Sequence, residues 1–170
     1  MDKRSQSGGG PLVSRRESLV GAVAVGAFMN TAQAKSMPFD TTQLVREWAR
    51  CWSAHDVEGF LALYTDDAVY EDAALRHKST GRDELRNFFQ HTIATFPDFK
   101  MDVTNVVADA HFGSGEWVMS GTFLGESFGQ SPTGKSFQVP GCCFMRIDGQ
   151  RIRYHCDYWN EPTFAEQVAP

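Results

Sequence analysis

The sequence predicts an α+β domain: a cone-shaped, curved antiparallel β-sheet packed against three N-terminal helices and enclosing a pocket. Three observations predict it. Helical periodicity dominates the chain after residue 40, strand-like runs dominate it after residue 97, and carboxylates recur inside aromatic strand-like segments. Helices that precede a run of antiparallel strands cover one face of the resulting sheet. A sheet covered in this way can surround a ligand.

Residues 1–34 read as an address. Ser14-Arg15-Arg16-Glu17-Ser18-Leu19 is a twin-arginine type run, the stretch from Leu19 to Met29 is apolar or small, and Ala32-Gln33-Ala34 has small-x-small cleavage character. The expected product is an exported chain, periplasmic or secreted, that begins near Lys35. The apolar stretch is too short to span a bilayer comfortably, so no stable membrane anchor is expected. Residues 35–170 are long enough for one domain with one core, and show neither repeat nor linker. Without the six charged residues of the leader, 12 Lys and Arg face 19 Asp and Glu, a net charge of −7. That balance, with no basic cluster, argues against nucleic acid as a partner.

Each element has its own signal. Thr41 or Thr42 can cap a first helix whose Leu44, Trp48 and Trp52 share a face, and Asp56 can cap a short second helix reaching about Tyr64. A third helix follows Thr80-Gly81. Its Leu85, Phe88, Phe89, Thr92, Ile93 and Phe96 form a stripe read as core packing, and Pro97 ends it. Strands are expected at about 67–72, 98–108, 115–124, 135–147 and 151–160, the last two joined through Asp148-Gly149-Gln150-Arg151.

Two segments carry the chemistry. Tyr64-Thr65-Asp66-Asp67-Ala68-Val69-Tyr70-Glu71-Asp72 and His155-Cys156-Asp157-Tyr158-Trp159 each set a carboxylate among aromatic strand residues. Asp is a poor strand former, and burying it costs a few kcal/mol unless it is hydrogen-bonded or protonated. A carboxyl so placed has the raised pKa that an acid or base catalyst needs, so Asp72 and Asp157 are the first candidates. His155, two residues before Asp157, can pair with it or sit at a rim or subunit contact. The other histidines lack ligand spacing, so no metal and no cofactor are expected. Cys51, Cys142, Cys143 and Cys156 also lack metal-site spacing, and only one of Cys142 and Cys143 could meet Cys156 across a sheet.

Further motifs carry a family resemblance. They are Ala54-His55-Asp56, Tyr64-Thr65-Asp66-Asp67-Ala68 leading into Glu71-Asp72, Gly81-Arg82-Asp83-Glu84-Leu85, Thr133-Gly134-Lys135-Ser136-Phe137 and Asp157-Tyr158-Trp159-Asn160. In this order and spacing the chain resembles, over nearly all of residues 41–168, the nuclear transport factor two-like superfamily. Within it the chain resembles the SnoaL-like polyketide cyclases, ketosteroid isomerases and limonene-epoxide hydrolases. The resemblance implies that Asp72 stands where ketosteroid isomerases hold their proton-shuttling Asp, with Trp48 and Cys142 at the oxyanion-hole positions. It also implies that Asp157, Tyr70 and Asp72 match positions around the epoxide in the hydrolases. The Arg and second Asp of those hydrolases would fall at about Gly121 and Phe123, which argues against that activity. Glu116 and Phe123 likewise replace an Arg and a His common among SnoaL-like proteins.

Pairing Ile147 with Ile152 sets Cys142 across from Asp157 and Phe144 across from His155, all on one face. Trp117, Met119, Gly121 and Phe123 would form a further wall. The expected substrate pocket is therefore Trp48, Trp117, Met119, Phe123, Cys142, Phe144 and Trp159, with Asp72, Asp157, His155 and Tyr70 catalytic. Tyr70 is the expected donor to an enolate oxygen. The expected function is that of an isomerase- or lyase-type enzyme, a SnoaL-like cyclase. It would perform cofactor-free acid/base cyclisation, isomerisation or dehydration of a small apolar carbonyl compound such as a polyketide or steroid-like ring. The alternatives are a non-catalytic binding protein for a small hydrophobic ligand and, further off, the epoxide hydrolase. A homodimer is expected through the outer sheet face, where Met145, Tyr154 and Tyr158 would be exposed.

Overall fold

Helix formation begins where a side chain can satisfy the first free backbone N–H groups. In the computed structural model, which describes residues 40–126 and 131–170, Asp40 caps α1 (Thr41–Ala54) by accepting from Thr42 N, one residue ahead of the expected threonines. The export signal expected over 1–34 lies outside the described residues. Asp56 caps α2 (Val57–Ala62) by accepting from Gly59 N. Helix α3 (Gly81–Thr95) starts with the Glu84 carboxylate reaching back to Thr80 N at 2.7 Å and stops two residues before Pro97.

Six strands form one sheet in the order β2-β1-β6-β5-β4-β3. They are β1 (Tyr64–Asp72), β2 (His77–Thr80), β3 (Lys100–Ala108), β4 (Phe112–Thr122), β5 (Ser136–Asp148) and β6 (Arg151–Trp159). Strand β2 and a fourth helix, α4 (Glu161–Val168), are additions to the expected elements. Asn160 caps α4, with Pro162 in its first turn. All pairings are antiparallel except β1 with β6, which is parallel and sets Asp72 beside Asp157 and Tyr70 beside His155. Residues Met37–Pro170 form one compact unit, and no helix among the described residues is long and apolar enough to cross a membrane.

The β5–β6 hairpin overturns the expected register. Ile147 does pair with Ile152, but the next pair is Arg146 with Tyr154, so Arg153 is an extra residue on β6. A one-residue bulge exchanges the faces of everything beyond it. Cys143 therefore pairs with Asp157 and Met145 with His155, while Cys142 meets Tyr158 and Phe144 meets Cys156. Met145 is fully buried rather than exposed on the outer face, where Tyr154 is half-buried and Tyr158 exposed. All four cysteines are free thiols.

The core lies between the helices and the concave face of the sheet. Trp52 of α1 stacks on Phe89 of α3 with ring centroids 4.3 Å apart and meets Phe60, Phe88 and Phe99 edge-on. Gly141 sits in the ladder between Trp117 and Trp159, and a Cβ there would come within 2.3 Å of the Trp117 ring. Only a residue without a side chain lets that indole lie across β5. Gly141→Ala should cost about 1–3 kcal/mol through forced displacement of Trp117, measured as a lower midpoint of urea unfolding; an unchanged midpoint would show that the ring moves freely.

Candidate active site

Asp72 and Asp157 reach the same cavity from neighbouring parallel strands, because both lie at inward positions of the register that pairs them. The cavity has a volume of about 330 Å³, a size suited to a small organic ligand. Tyr70, Trp117, Met119, Phe123 and Trp159 line it as the sequence predicts. The two tryptophans form walls and do not fill the space.

Asp72 is 6 % exposed. Its Oδ1 accepts from Leu75 N and its Oδ2 from the Trp159 indole N–H, both at 2.9 Å. Burial pushes its pKa from 3.8 to about 6. The donors at Leu75 and Trp159 pull against that shift, and the neighbouring charge of Asp157 adds to it.

Asp157 closes a buried chain of polar groups. Tyr70 donates its hydroxyl to Oδ2, His155 Nε2 bonds Oδ1 at 2.9 Å, and the Tyr64 hydroxyl bonds His155 Nδ1 at 2.9 Å. A carboxylate only accepts, so Nε2 carries the proton, and a neutral ring then takes the Tyr64 proton at Nδ1. Burial first, and the Asp157 charge second, push both tyrosines well above their ordinary range, so they remain neutral hydroxyl donors. His155 is fully buried and does not border the cavity; it stands behind Asp157, its ring 4.8 Å from that of Trp48.

Three expected pocket residues lie elsewhere. Cys142 and Phe144 are turned to the outer face by the bulge at Arg153, Cys142 being exposed and Phe144 half-buried beside Phe112. Trp48 is wholly buried against His155 and Trp117, behind the cavity wall. Tyr70 is present but its proton is committed to Asp157, which removes it as a free donor to a ligand oxygen. Two further indole N–H groups on cavity-lining residues, those of Trp52 and Trp117, are buried without a hydrogen-bond partner, the Trp117 group lying toward the Cys143 thiol.

Other lining residues escape a sequence reading. Phe88, Thr92 and Thr95 of α3 and Phe96 at its C-cap face the cavity, while Leu85 and Phe89 of the same helix are core. Phe164 and Glu161 come from α4. Tyr64, the far end of the polar chain, carries no signal beyond its place before Thr65.

Among the described residues, one group could present metal ligands. A Cys143, a His155 and an Asp157 donor atom lie within 4.8 Å of one another. Burial and the Asp157 charge raise the Cys143 thiol strongly, and Nε2 already bonds Asp157, so this trio is poorly prepared to give a thiolate.

An open α+β cone with a buried acid pair in an aromatic cavity defines a protein of the nuclear transport factor two-like class. The chain belongs to the SnoaL-like polyketide cyclase family, whose sequence model matches residues 42–168. No match was found among curated proteins. A SnoaL-like polyketide cyclase candidate from Jannaschia sp. CCS1 superposes with a TM-score of 0.71 at 16% identity, covering 79% of this chain and 96% of that one. IdmH of Streptomyces antibioticus, also a polyketide cyclase candidate, gives 0.65 at 22% identity over 75% and 97%. A ketosteroid isomerase-like protein from Catenulispora acidiphila, solved with trimethylamine, gives 0.67 at 22% over 74% and 92%. At these identities the likeness establishes the fold.

With burial pushing the Asp72 pKa up from 3.8 to about 6, the folded state holds more protons than the unfolded chain between these values and loses stability as pH rises. Asp72→Asn should be more stable than the parent at pH 8 by up to about 3 kcal/mol, and the difference should vanish toward pH 4. Urea unfolding across this range reads it. A variant less stable at pH 8 would make the ionised carboxylate a structural anchor.

Proposed function

We propose that this chain is a cofactor-free acid/base enzyme that removes a proton next to the carbonyl of a small apolar ring compound, as in cyclisation, isomerisation or dehydration. Family membership supports the class of reaction, and the single observation that carries the reading is a buried Asp72 set beside Asp157 in the cavity, where burial pushes its pKa up to about 6. A base poised there is largely ionised at neutral pH yet strong enough to take a carbon-bound proton. In this reading Asp72 is the base. Asp157, oriented by Tyr70 and by His155 with Tyr64 behind it, forms the second half of the proton path. The unpaired indole N–H groups of Trp52 and Trp117 are the donors available to a developing enolate oxygen, in place of Tyr70. The substrate's apolar body would lie against Phe96, Phe123, Phe137 and Phe164. The reading includes export through a leader at 1–34, a single catalytic domain from residue 35, and a dimer.

A second reading, a non-catalytic carrier of a small hydrophobic ligand, draws support from the commitment of the Tyr70 hydroxyl to Asp157.

Deuterium exchange at the α-carbon of cyclic ketones and polyketide-like 1,3-dicarbonyls, followed by NMR, separates the two without knowledge of the product. The enzyme should speed exchange with a rate that rises through about pH 6, and Asp72→Asn should lower it by about 10²–10⁴-fold while the fold persists. An Asp72→Asn protein that exchanges at the parental rate would end the mechanism. Ligand binding that survives both Asp72→Asn and Asp157→Asn, with no exchange in the parent, would establish the carrier.

A further inference from the structure

The cavity wall is unbalanced in charge. Among the described residues, Asp72, Asp157 and Glu161 line it, no lysine or arginine does, and His91 of α3 is the one basic lining residue. Among the described residues, Asp157 forms an ion-pair contact with His155 alone, and none is formed by Asp72. Each buried carboxyl group accepts two hydrogen bonds, and no lysine or arginine among the described residues pairs with either. Buried charges ordinarily have a counter-charge as well as donors.

The rest of the wall is suited to supply the other half of a cation site. Ten of the twenty lining residues are Phe, Tyr or Trp, so half of the described wall is aromatic. Ring faces attract cations and repel anions, most strongly where water is excluded. Trp159 binds Asp72 through its indole N–H, which sets a large ring directly beside a carboxylate. The Phe and Met side chains of the remaining wall accept an apolar body.

We propose that the natural ligand of this cavity carries a protonated amine, seated between the carboxylates of Asp72 and Asp157 and the surrounding aromatic rings, with an apolar remainder toward Phe96, Phe123 and Phe137. The inference rests on the cavity being the ligand site and adds the charge of the ligand. It excludes carboxylates, phosphates and other anions as substrates. It also ties affinity to the protonation of Asp72. The charged or titratable groups that face Asp72 are Tyr70 on its own strand, Asp157 from β6, His91 from α3 and Glu161 from α4; α1, β3, β4 and β5 contribute only Trp52, Met101, Trp117, Met119 and Phe137.

The test uses the full chain and three probes of similar size: benzyltrimethylammonium, its neutral isostere neopentylbenzene, and phenylmethanesulfonate. Binding is read by tryptophan fluorescence and confirmed by NMR. At pH 8 the cation should bind about tenfold more tightly than the isostere, and the anion should show no saturable binding. The advantage of the cation should shrink as pH falls from 8 to 5, while neopentylbenzene binding stays level. Asp72→Asn should remove most of the cation's advantage and leave the isostere unaffected; should that variant fail to fold, the pH series of the parent carries the same information. A cation that binds no better than the isostere at pH 8, or an anion that binds best, overturns the proposal. The outcome is independent of catalysis. Cation binding with no α-proton exchange would remove the enzyme reading alone, and exchange on neutral ketones that the cation inhibits no better than its isostere would remove this inference alone.

Discussion

Everything inside the cone depends on where β6 takes its extra residue. Arg153 has no partner on β5, and beyond it the strand presents His155, Asp157 and Trp159 to the interior and Tyr154 and Tyr158 to the outside. Strand β1 is irregular at the same level, its register against β6 shifting between Tyr64 and Val69. The two irregularities face each other, and Arg153 bonds Asp67 across them at 3.0 Å. That pair is exposed and contributes little energy of its own. Its value is geometric, since it accompanies the register on which Tyr70 and Asp72 stand beside His155 and Asp157.

From that register follows a division of labour between two carboxylates of similar burial. Asp72 receives its hydrogen bonds from a backbone N–H and an indole beside the cavity, and burial dominates its titration. Asp157 is tied into a line of neutral side chains that runs back through His155 to Tyr64, away from the ligand space. Both acids line the cavity, but only Asp157 is tied to other buried side chains on both of its oxygens by the Tyr70 and His155 pair. The aromatic packing around them has the same double character. Trp52 and Phe89 stack to close the core, and Trp117 and Trp159 leave room beside Gly141 to form walls.

Asp72 and Asp157 were legible in the sequence because a carboxylate amid aromatic strand residues conflicts with local propensity, and such conflicts mark sites. The three N-terminal helices and five of the strands were legible from periodicity and caps. The hairpin register was not, because Arg153 carries neither the glycine nor the proline that would signal a bulge, and the slip misplaced Cys142, Phe144 and Met145. Strand β2 is four polar-rich residues, too short for alternation to show. The Asn160 cap and Pro162 do mark α4, but they sit directly behind a strong strand that a sequence reading extends. Periodicity also finds the inner stripe of α3 without separating Phe89, which is enclosed in the core, from Phe88, which packs on neighbouring rings and also borders the cavity.

The parallel pairing of β1 with β6 has a temporal consequence. Residue 72 and residue 157 are brought together only by contacts that span most of the domain, and Glu161 and Phe164 of α4 finish the enclosure. Contacts so distant along the chain form late, since the entropy of closing the intervening segment must be met first. During synthesis the helices and the β1–β2 pair are complete long before β6 emerges, and β1 waits with one edge open and apolar rings uncovered. The acid pair thus depends on contacts between the first and last strands of the chain, with Glu161 and Phe164 of α4 on the same cavity wall.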